Sequence, residues 1–432
     1  MRYDALRKMV ENFTIFLAYN ADIDAIVRVS ELKKIFTKKD FLKLKDEPLP
    51  TTIESKEDLL IGIINSMKNG TGEELPMNGR ISCWLRKRIK PREKRMGGQI
   101  GIMSNVLSNL GFNCLVYFPL LSKEQSKLFE RNPNLKFLTK DGWKPSGIYF
   151  KNVPTKINWI FEFSKGEKLF DVVAKDSSRF IAASRPDEDR IKSPLLESKV
   201  DEINEKADIA ILSGYHDVRK KYSDSTYLKE IKAGERFLKK LKIPTQLEFA
   251  NVSDVRIRRA IINHIASHVD VLSMDVNELI SILDLIKKYP RRKERDSIWN
   301  YEALKIILKE LNLKCVKIHR KHYFLSVSNG YLKKDYIKKA YLISRGFDYV
   351  KSKKGRIKDW NELKIASKVK PSLRGIKEKK KLEKYLRDNK EKLDVVIVPN
   401  KVNPNPKTTV GLGDVLSGGS FAIENLLSVR GR

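Results

Sequence analysis

A short segment near the C-terminus combines residue types that could transfer a phosphoryl group. It reads Thr408-Thr409-Val410-Gly411-Leu412-Gly413-Asp414 and continues without proline to Leu427. The glycines permit a tight turn, and the apolar residues that follow predict a packed helix. Asp414 would lie in its first turn, beside unpaired backbone N–H groups and the positive end of the helix dipole. The N–H groups of Gly411, Leu412 and Gly413 can hold phosphate while Asp414 accepts a hydroxyl proton, although a plain Asp-capped helix explains the same residues.

The composition is that of a folded protein with a large core. The chain has 432 residues, of which 41% are hydrophobic, and its length suggests two or more structural units. No stretch approaches the roughly eighteen uninterrupted apolar residues of a membrane span, and the N-terminus lacks the apolar core of a signal peptide. Cys83, Cys114 and Cys315 are isolated and lack metal-ligand spacing. We therefore expect a cytoplasmic protein with buried, reduced cysteines and no membrane partner.

The net charge of +33 suggests a polyanionic partner. Most of the charge is spread along helix faces, and the densest run, residues 86–95, has no interleaved aromatic residues for base stacking. We therefore favour attraction of phosphorylated small molecules and a lysine-rich, thermophile-like surface over nucleic-acid binding. A nucleic-acid-binding protein is the alternative of a different class, and it predicts tight binding that weakens steeply with salt.

Short apolar strands alternate with helical stretches along most of the chain. We predict strands at 13–18, 113–118, 207–212, 244–248, 269–274 and 395–398, and helices at 99–110, 376–393 and after the Gly411–Gly413 turn. Such alternation is typical of a mostly parallel sheet covered by helices on both faces, a three-layer α/β/α domain. Ligands of these sheets bind beyond the carboxyl ends of the strands, where the polar residues that follow each strand would meet.

The region 146–183 departs from this pattern. It reads as four short strands, 147–153, 156–163, 168–175 and 178–183, which predict an antiparallel sheet. We interpret it as part of a small, mainly β lid domain, with crossings near Asp22 and around Asp141-Gly142. The predicted lid comprises residues 21–45 and 141–185, and the predicted large domain comprises 1–20, 46–140 and 186–432.

Four motifs, taken in order, resemble those of the ribokinase-like superfamily of sugar kinases. More narrowly, they resemble its archaeal ADP-dependent branch, the ADP-dependent phosphofructokinases and glucokinases. The motifs are Asn20-Ala21-Asp22-Ile23-Asp24, Arg95-Met96-Gly97-Gly98-Gln99, Asp275-Val276-Asn277-Glu278 and Thr409-Val410-Gly411-Leu412-Gly413-Asp414. The resemblance covers nearly the whole chain and implies ADP as phosphoryl donor with Mg²⁺ or another divalent cation. An ATP-dependent sugar or nucleoside kinase of the same superfamily is the alternative.

The resemblance implies that the acceptor sugar is bound by the first two motifs. The residues concerned are Asn20, Asp22, Asp24, Gly97, Gly98 and Gln99. Their chemistry agrees, because a carboxylate such as Asp24 suits a vicinal diol, glycines admit a close ligand, and Gln99 offers both donor and acceptor. An Asx turn and a glycine-rich helix start are the simpler explanations of the same residues.

The resemblance also implies a nucleotide side and a metal side. Val398, Pro399, Val410 and His319 are expected near the nucleotide, and Glu278, Asp275, Glu248 and Asp414 near the metal. Glu278 would hold hydrated Mg²⁺, which keeps its waters readily. The chain departs from the family twice, with Asp275 at an asparagine position and Gln246 where the branch usually has histidine.

Three residues bear on the identity of the sugar. Glu93 matches a glutamate of the glucokinases, whereas Lys165 and Arg179 on the predicted lid could bind the phosphate of fructose 6-phosphate. We therefore expect an ADP-dependent phosphofructokinase of a modified glycolysis, forming fructose 1,6-bisphosphate and AMP, with glucokinase activity as a second capacity. We expect a monomer or a small homo-oligomer.

Overall fold

The computed structural model describes residues 3–184, 186, 190–218, 224–250, 252 and 254–431. The strands are β1 Thr14–Tyr19, β2 Asp22–Arg28, β3 Glu73–Met77, β4 Glu93–Gly97, β5 Asn113–Tyr117, β6 Leu135–Thr139, β7 Gly142–Pro145, β8 Ile157–Phe163, β9 Lys168–Leu169, β10 Val172–Val173, β11 Ser178–Ser184, β12 Ile209–Ser213, β13 Thr245–Glu248, β14 Val271–Met274, β15 Cys315–His319, β16 Tyr323–Ser328 and β17 Asp394–Pro399. The α-helices are α1 Tyr3–Val10, α2 Lys38–Leu44, α3 Lys56–Asn69, α4 Gly79–Arg88, α5 Gln99–Asn109, α6 Lys123–Ser126, α7 Pro194–Glu197, α8 Val200–Lys206, α9 Asp224–Lys240, α10 Val255–His264, α11 Val276–Ile286, α12 Ser297–Glu310, α13 Lys334–Lys354, α14 Lys364–Ser367, α15 Leu373–Asp388 and α16 Leu412–Arg430. Short 3-10 helices span Val29–Lys34, Tyr215–Asp217, Ala266–His268 and Trp360–Leu363.

A ten-stranded sheet, the large sheet, organises most of the chain. Its order is β17-β16-β15-β14-β13-β12-β1-β5-β6-β7, and the seven strands from β15 to β6 are parallel. Alternate residues of β1 enter different cores, since Phe16 and Ala18 pack on one face and Ile15 and Leu17 on the other. Helices therefore cover both faces, and the predicted α/β/α class is confirmed. The predicted strands at 13–18, 113–118 and 395–398 lie within one or two residues of β1, β5 and β17.

A five-stranded sheet, the small sheet, has its own core around Phe161, Phe180 and Trp159. Its order is β3-β11-β8-β2-β4. The β8–β11 pair is antiparallel, as predicted, but β2–β8 and β3–β11 are parallel. The sheet is therefore mixed, and its strands come from two separate stretches of chain, one with β2, β3 and β4 and the other with β8 and β11.

The predicted boundaries disagree with strand membership at two places. Strands β3 and β4 belong to the small sheet although residues 46–140 were assigned to the large domain, because β3 pairs with β11 and β4 with β2. Strand β7 pairs with β6 of the large sheet, so the second crossing lies between Pro145 and Ile157, after Asp141-Gly142. The predicted strand 147–153 is wrong, since only Lys151 there makes an isolated bridge.

Two expectations from composition have different outcomes. Cys114 and Cys315 are buried free thiols as expected, but Cys83 is exposed. In the part of the chain that the structure describes, no helix combines the length and apolar character needed to cross a membrane.

Helix α16, which begins at the Gly411–Gly413 turn, packs closely between α5 and α13. A Cβ on Gly418 would lie 2.8 Å from Sδ of Met103 of α5, and one on Gly419 would lie 2.6 Å from the ring of Phe347 of α13. The helix is also joined to β15 by a buried ion pair of 2.5 Å between Lys317 and Glu424. These contacts fix the start of α16 at the carboxyl edge of the large sheet.

The buried pair gives a stability prediction. Lys317→Met should lower the free energy of unfolding by about 3–5 kcal/mol, because it leaves Glu424 as an uncompensated buried charge. Lys317→Met combined with Glu424→Met should recover most of the loss. Denaturant unfolding measures both, with Lys314→Met, which breaks an exposed pair with Asp270, as the control with an effect of about 1 kcal/mol or less. Equal losses in the single and double variants would contradict the prediction.

Candidate active site

The start of α16 has the geometry of an anion-binding turn. Gly411 is its N-cap with φ of 70°, in the left-handed region, and a Cβ there would lie 2.7 Å from Cδ1 of Ile102. Glycine is therefore required on two grounds. Asp414 lies in the first turn of α16, as predicted, and is partly buried. Burial raises the pKa of Asp414 to about 6, while the nearby Lys351 acts in the opposite direction.

The segment before this turn is held from two sides. From α13, the carbonyl oxygen of Ser352 accepts the N–H groups of Lys407 at 2.7 Å and Thr408 at 3.4 Å. From the small sheet, Arg95 donates to Oγ1 of Thr408 at 3.1 Å. Arg179 of the small sheet similarly donates to Oγ1 of Thr409 at 3.3 Å. The loop that leads into α16 therefore contacts helix α13 and strands β4 and β11 of the small sheet.

Asp24 lies on β2 opposite Arg95 of β4. The distance from Oδ2 of Asp24 to Nε of Arg95 is 3.9 Å. A Cβ on Gly97 would overlap the Asp24 carboxyl group, so glycine is needed for this carboxylate to take its place. Burial raises the pKa of Asp24 to about 7, although Arg95 opposes the shift. Because Arg95 reaches both Asp24 and Thr408, the candidate sugar carboxylate and the phosphate-binding turn lie within the reach of one side chain.

Asn20 and Gln99 form one polar network at the end of β1. Nδ2 of Asn20 donates to Oε1 of Gln99 at 3.4 Å, and Ser213 at the end of β12 donates to the same oxygen. Nε2 of Gln99 donates to the carbonyl oxygen of Phe249 at 3.1 Å. Gly98 has φ of 71°, and a Cβ there would lie 2.8 Å from Cα of Ala21. Residues of the first two motifs therefore lie together at the junction of the two sheets, and their role in sugar binding stays a prediction.

Asp22 belongs to a buried ionic group that sequence reasoning missed. Nζ of Lys156 lies 3.2 Å from Oδ1 of Asp22 and 2.5 Å from Oδ2 of Asp217. A cleft beside this group is lined by residues that include Tyr19, Asn20, Arg190, Gly214 and Asp217. The only sequence signal was a lysine directly before an apolar strand, which is common in a chain with 87 basic residues.

Four carboxylates meet at the acidic edge, which we define as Glu248, Asp275, Glu278 and Asp414. Burial raises the pKa of Glu278 well above its ordinary value, and the three other carboxylates contribute to the shift. Burial and the neighbouring Asp414 raise the pKa of Glu248 to about 8. Within the described ranges, no three acidic, histidine or cysteine side chains are placed to bind one ion directly. Several buried carboxylates with raised pKa values form an electrostatic environment that favours a cation.

The two departures from the family motifs have structural consequences. Oδ1 of Asp275 caps α11 by accepting the N–H groups of Asn277 at 2.7 Å and Glu278 at 2.9 Å. Oε2 of Glu278 in turn accepts the Asp275 N–H at 2.7 Å, which completes a capping box. Gln246 donates to Oγ of Ser417 at 3.0 Å, and that hydroxyl donates to Glu248. Gln246 thereby orients Glu248 through one intermediate side chain.

The expected nucleotide-side residues lie at one end of the sheet. His319, Phe324 and Val398 are neighbours in register on β15, β16 and β17, with Pro399 next to Val398. A Cβ on Gly413 would overlap Nε2 of His319, and burial lowers the pKa of this histidine. Val410 immediately precedes Gly411, and its N–H donates to Oγ1 of Thr408 at 3.2 Å.

The three sugar-specificity candidates occupy different places. Glu93 is exposed at the start of β4 and lies on the same face of the strand as Arg95, two residues away. Arg179 is at the loop that leads into α16, where it donates to Oγ1 of Thr409. Lys165 is exposed in the turn after β8, at the opposite end of that strand from Asn158, which pairs with Asp24. The structure does not bring Lys165 to the other candidates.

A parallel α/β sheet with a carboxylate beside an anion-binding helix start is the arrangement of a phosphotransferase. The family model described as "ADP-specific Phosphofructokinase/Glucokinase conserved region" matches residues 13–423, and the chain belongs to this family. It is an ADP-dependent sugar kinase, which confirms the family and the enzyme class expected from the motifs.

Individual relatives cover almost the whole chain. An ADP-specific phosphofructokinase of Thermococcus litoralis is 33% identical, over 96% of this chain and 97% of the relative. An ADP-dependent glucose/glucosamine kinase of Pyrococcus abyssi is 29% identical, over 96% and 95%. A solved ADP-dependent kinase in complex with fructose 6-phosphate and ADPβS is 29% identical, with a TM-score of 0.83 over 99% and 96% of the two chains.

The contact between Gly97 and Asp24 gives a binding prediction. Gly97→Ala should raise the KM for the sugar by about tenfold or more, because the added methyl displaces a carboxylate worth roughly 1.5–3 kcal/mol in charged hydrogen bonds. Steady-state kinetics checks this, with Gly79→Ala as control, since a Cβ there meets no atom within 4 Å. An unchanged sugar KM in Gly97→Ala would remove Asp24 from the sugar site.

Proposed function

We propose that the protein transfers the β-phosphoryl group of ADP to fructose 6-phosphate, giving fructose 1,6-bisphosphate and AMP, with glucose as a second acceptor. The observation that carries the proposal is that Asp414 lies in the first turn of α16, while Arg95 joins Asp24 to Thr408 of the loop that leads into that helix. A base, an anion-binding turn and a diol-binding carboxylate are thereby close together. The kinases of fructose 6-phosphate and of glucose among the relatives support both acceptors.

Asp414 acts as the general base in this proposal. With a pKa of about 6, it is mostly ionised at pH 7 and can accept the proton of the sugar hydroxyl. The N–H groups of Gly411, Leu412 and Gly413 stabilise negative charge on the transferred group. Because phosphoryl transfer has a loose transition state, positioning and charge stabilisation supply most of the catalysis. The small sheet would act as the lid that excludes water.

The acidic edge would hold Mg²⁺ or another divalent cation, mainly through water. Glu278 and Glu248 are the principal residues, while Asp275 contributes its second oxygen and Asp414 its unprotonated form. When bound, the cation neutralises phosphate charge. The nucleotide would lie beside Val398, Pro399, Val410 and His319.

The acceptor sugar would lie against Asn20, Asp24, Gly97, Gly98 and Gln99. For a sugar phosphate, the Arg190 guanidinium in the cleft beside the Lys156, Asp22 and Asp217 ionic group is the proposed partner. Glu93 remains our candidate for glucose recognition and Arg179 for a phosphate contact. Cytoplasmic location and a monomeric or small homo-oligomeric state remain predictions.

The direct test is AMP formation from ADP and Mg²⁺ with fructose 6-phosphate or glucose, and ATP as the control donor. We expect AMP with both sugars and a higher kcat/KM for fructose 6-phosphate. Transfer from ATP alone would overturn the proposed donor, and a preference for glucose would overturn the proposed main acceptor.

Removing the base gives a second test. Asp414→Ala should lower kcat by about a hundredfold or more and leave the fold intact, since general-base catalysis contributes typically 10²–10⁴-fold. Steady-state kinetics and circular dichroism together check this. Near-normal turnover would remove Asp414 from the mechanism.

The sugar-phosphate cleft gives a specificity prediction. Arg190→Gln should raise the KM for fructose 6-phosphate by about tenfold, the weight of one charged hydrogen bond, and leave the KM for glucose unchanged. Lys165→Gln, which removes an exposed charge at the far end of β8, is the matched control and should change neither value. If Lys165→Gln alone affects fructose 6-phosphate, the original assignment of Lys165 is correct.

A further inference from the structure

Lys351 is a buried cation at the phosphate-binding turn that no motif identifies. It lies near the C-terminal end of α13, and only 7% of the residue is exposed. A Cβ placed on Gly411 would lie 3.1 Å from Nζ of Lys351. The ammonium group is therefore against the backbone that begins α16.

The charges around Lys351 come from both halves of the site. Asp414 of α16 and Asp24 of the small sheet attract it, and the guanidinium of Arg95 repels it. Burial lowers the pKa of Lys351 to about 8, so the group remains mostly protonated at pH 7. The Lys351 ammonium thus interacts electrostatically with both Asp414 and Asp24.

Lys351 differs from the other buried lysines in lacking a bonded partner. Lys156 and Lys317 each have a carboxylate at 2.5 Å, and Lys401 donates to the Ala366 carbonyl oxygen at 2.5 Å. Within the described ranges, Asp414, Asp24 and Arg95 act on Nζ of Lys351 through their charges, and no hydrogen bond contributes. A buried ammonium without a partner is unfavourable for folding, which indicates a role in ligand binding.

The position of Lys351 relative to the turn is fixed by its neighbour. Ser352 accepts the N–H groups of Lys407 and Thr408, which ties the end of α13 to the loop before Gly411. Phe347 packs against Gly419 farther along α16. The helix that carries Lys351 is therefore fixed against the start of α16 before any ligand binds, as electrostatic stabilisation of a transition state requires.

We propose that Lys351 is a further catalytic residue, whose ammonium donates to the phosphoryl group as it passes from ADP to the acceptor hydroxyl. The inference rests on the proposed transfer of the β-phosphoryl group. In that step the phosphorus–oxygen bond to AMP breaks, the bond to the sugar oxygen forms, and Asp414 takes the hydroxyl proton. Lys351 keeps its own proton throughout and offsets charge on the transferred oxygens.

The test compares Lys351→Met, Lys351→Arg and the control Lys353→Met, which removes an exposed lysine of the same helix. In Lys351→Met, kcat should fall by about a hundredfold or more, as for the loss of one donor to the developing charge. Lys351→Arg should recover at least about tenfold of this loss, because it restores a charged donor. Lys353→Met should behave as the unmodified protein.

Binding and melting measurements separate this role from a structural one. With Mg²⁺ present, Lys351→Met should bind ADP about tenfold more weakly and AMP unchanged, since AMP lacks the transferred group; its melting temperature should not fall. Any one of three results for Lys351→Met would overturn the proposal. The first is an equal loss of affinity for ADP and AMP, and the second is a kcat within about threefold of the unmodified value. The third is a lower melting temperature that Lys351→Arg does not recover. Failure of the unmodified protein to form AMP would instead overturn the proposed function, because the ADP–AMP comparison needs no turnover.

Discussion

The proposed site depends on an electrostatic constraint, because the edge of the large sheet at which phosphate anions would bind already carries carboxylates. Burial, with a smaller contribution from mutual repulsion, raises the pKa values of Glu248, Glu278 and Asp414. An anion can approach only if positive groups converge there. They do so from three directions: the N–H groups at the start of α16, Arg95 and Arg179 of the small sheet, and Lys351 of α13.

Much of the large sheet could be predicted because buried parallel strands have a strong sequence signal. Strands such as β12 and β14 are continuous apolar runs that end in polar residues. The small sheet was harder, since β3 and β4 read EELPM and EKRMG and pair with distant partners. Conversely, residues 147–153 are apolar enough to suggest a strand. In the structure Ile148 and Phe150 are exposed, and the segment joins neither sheet.

The candidate site was predictable where backbone geometry restricts the residue type. Gly97, Gly98 and Gly411 each occupy a position at which a Cβ would meet another group closely, so their motifs stand out in the sequence. Lysines carry no such signal in a chain with 87 basic residues. Only burial distinguishes Lys156 and Lys351 from exposed lysines such as Lys165.

The course of the chain between the two sheets has a mechanical consequence. The backbone passes between them four times, after β1, after β4, after β7 and after β11. Any rotation of one sheet against the other must therefore be accommodated in four connections at once, which restricts it more than a single linker would. Asn20 and Gly98 lie in the first two of these segments. A ligand bonded to them would therefore restrain two of the four connections directly.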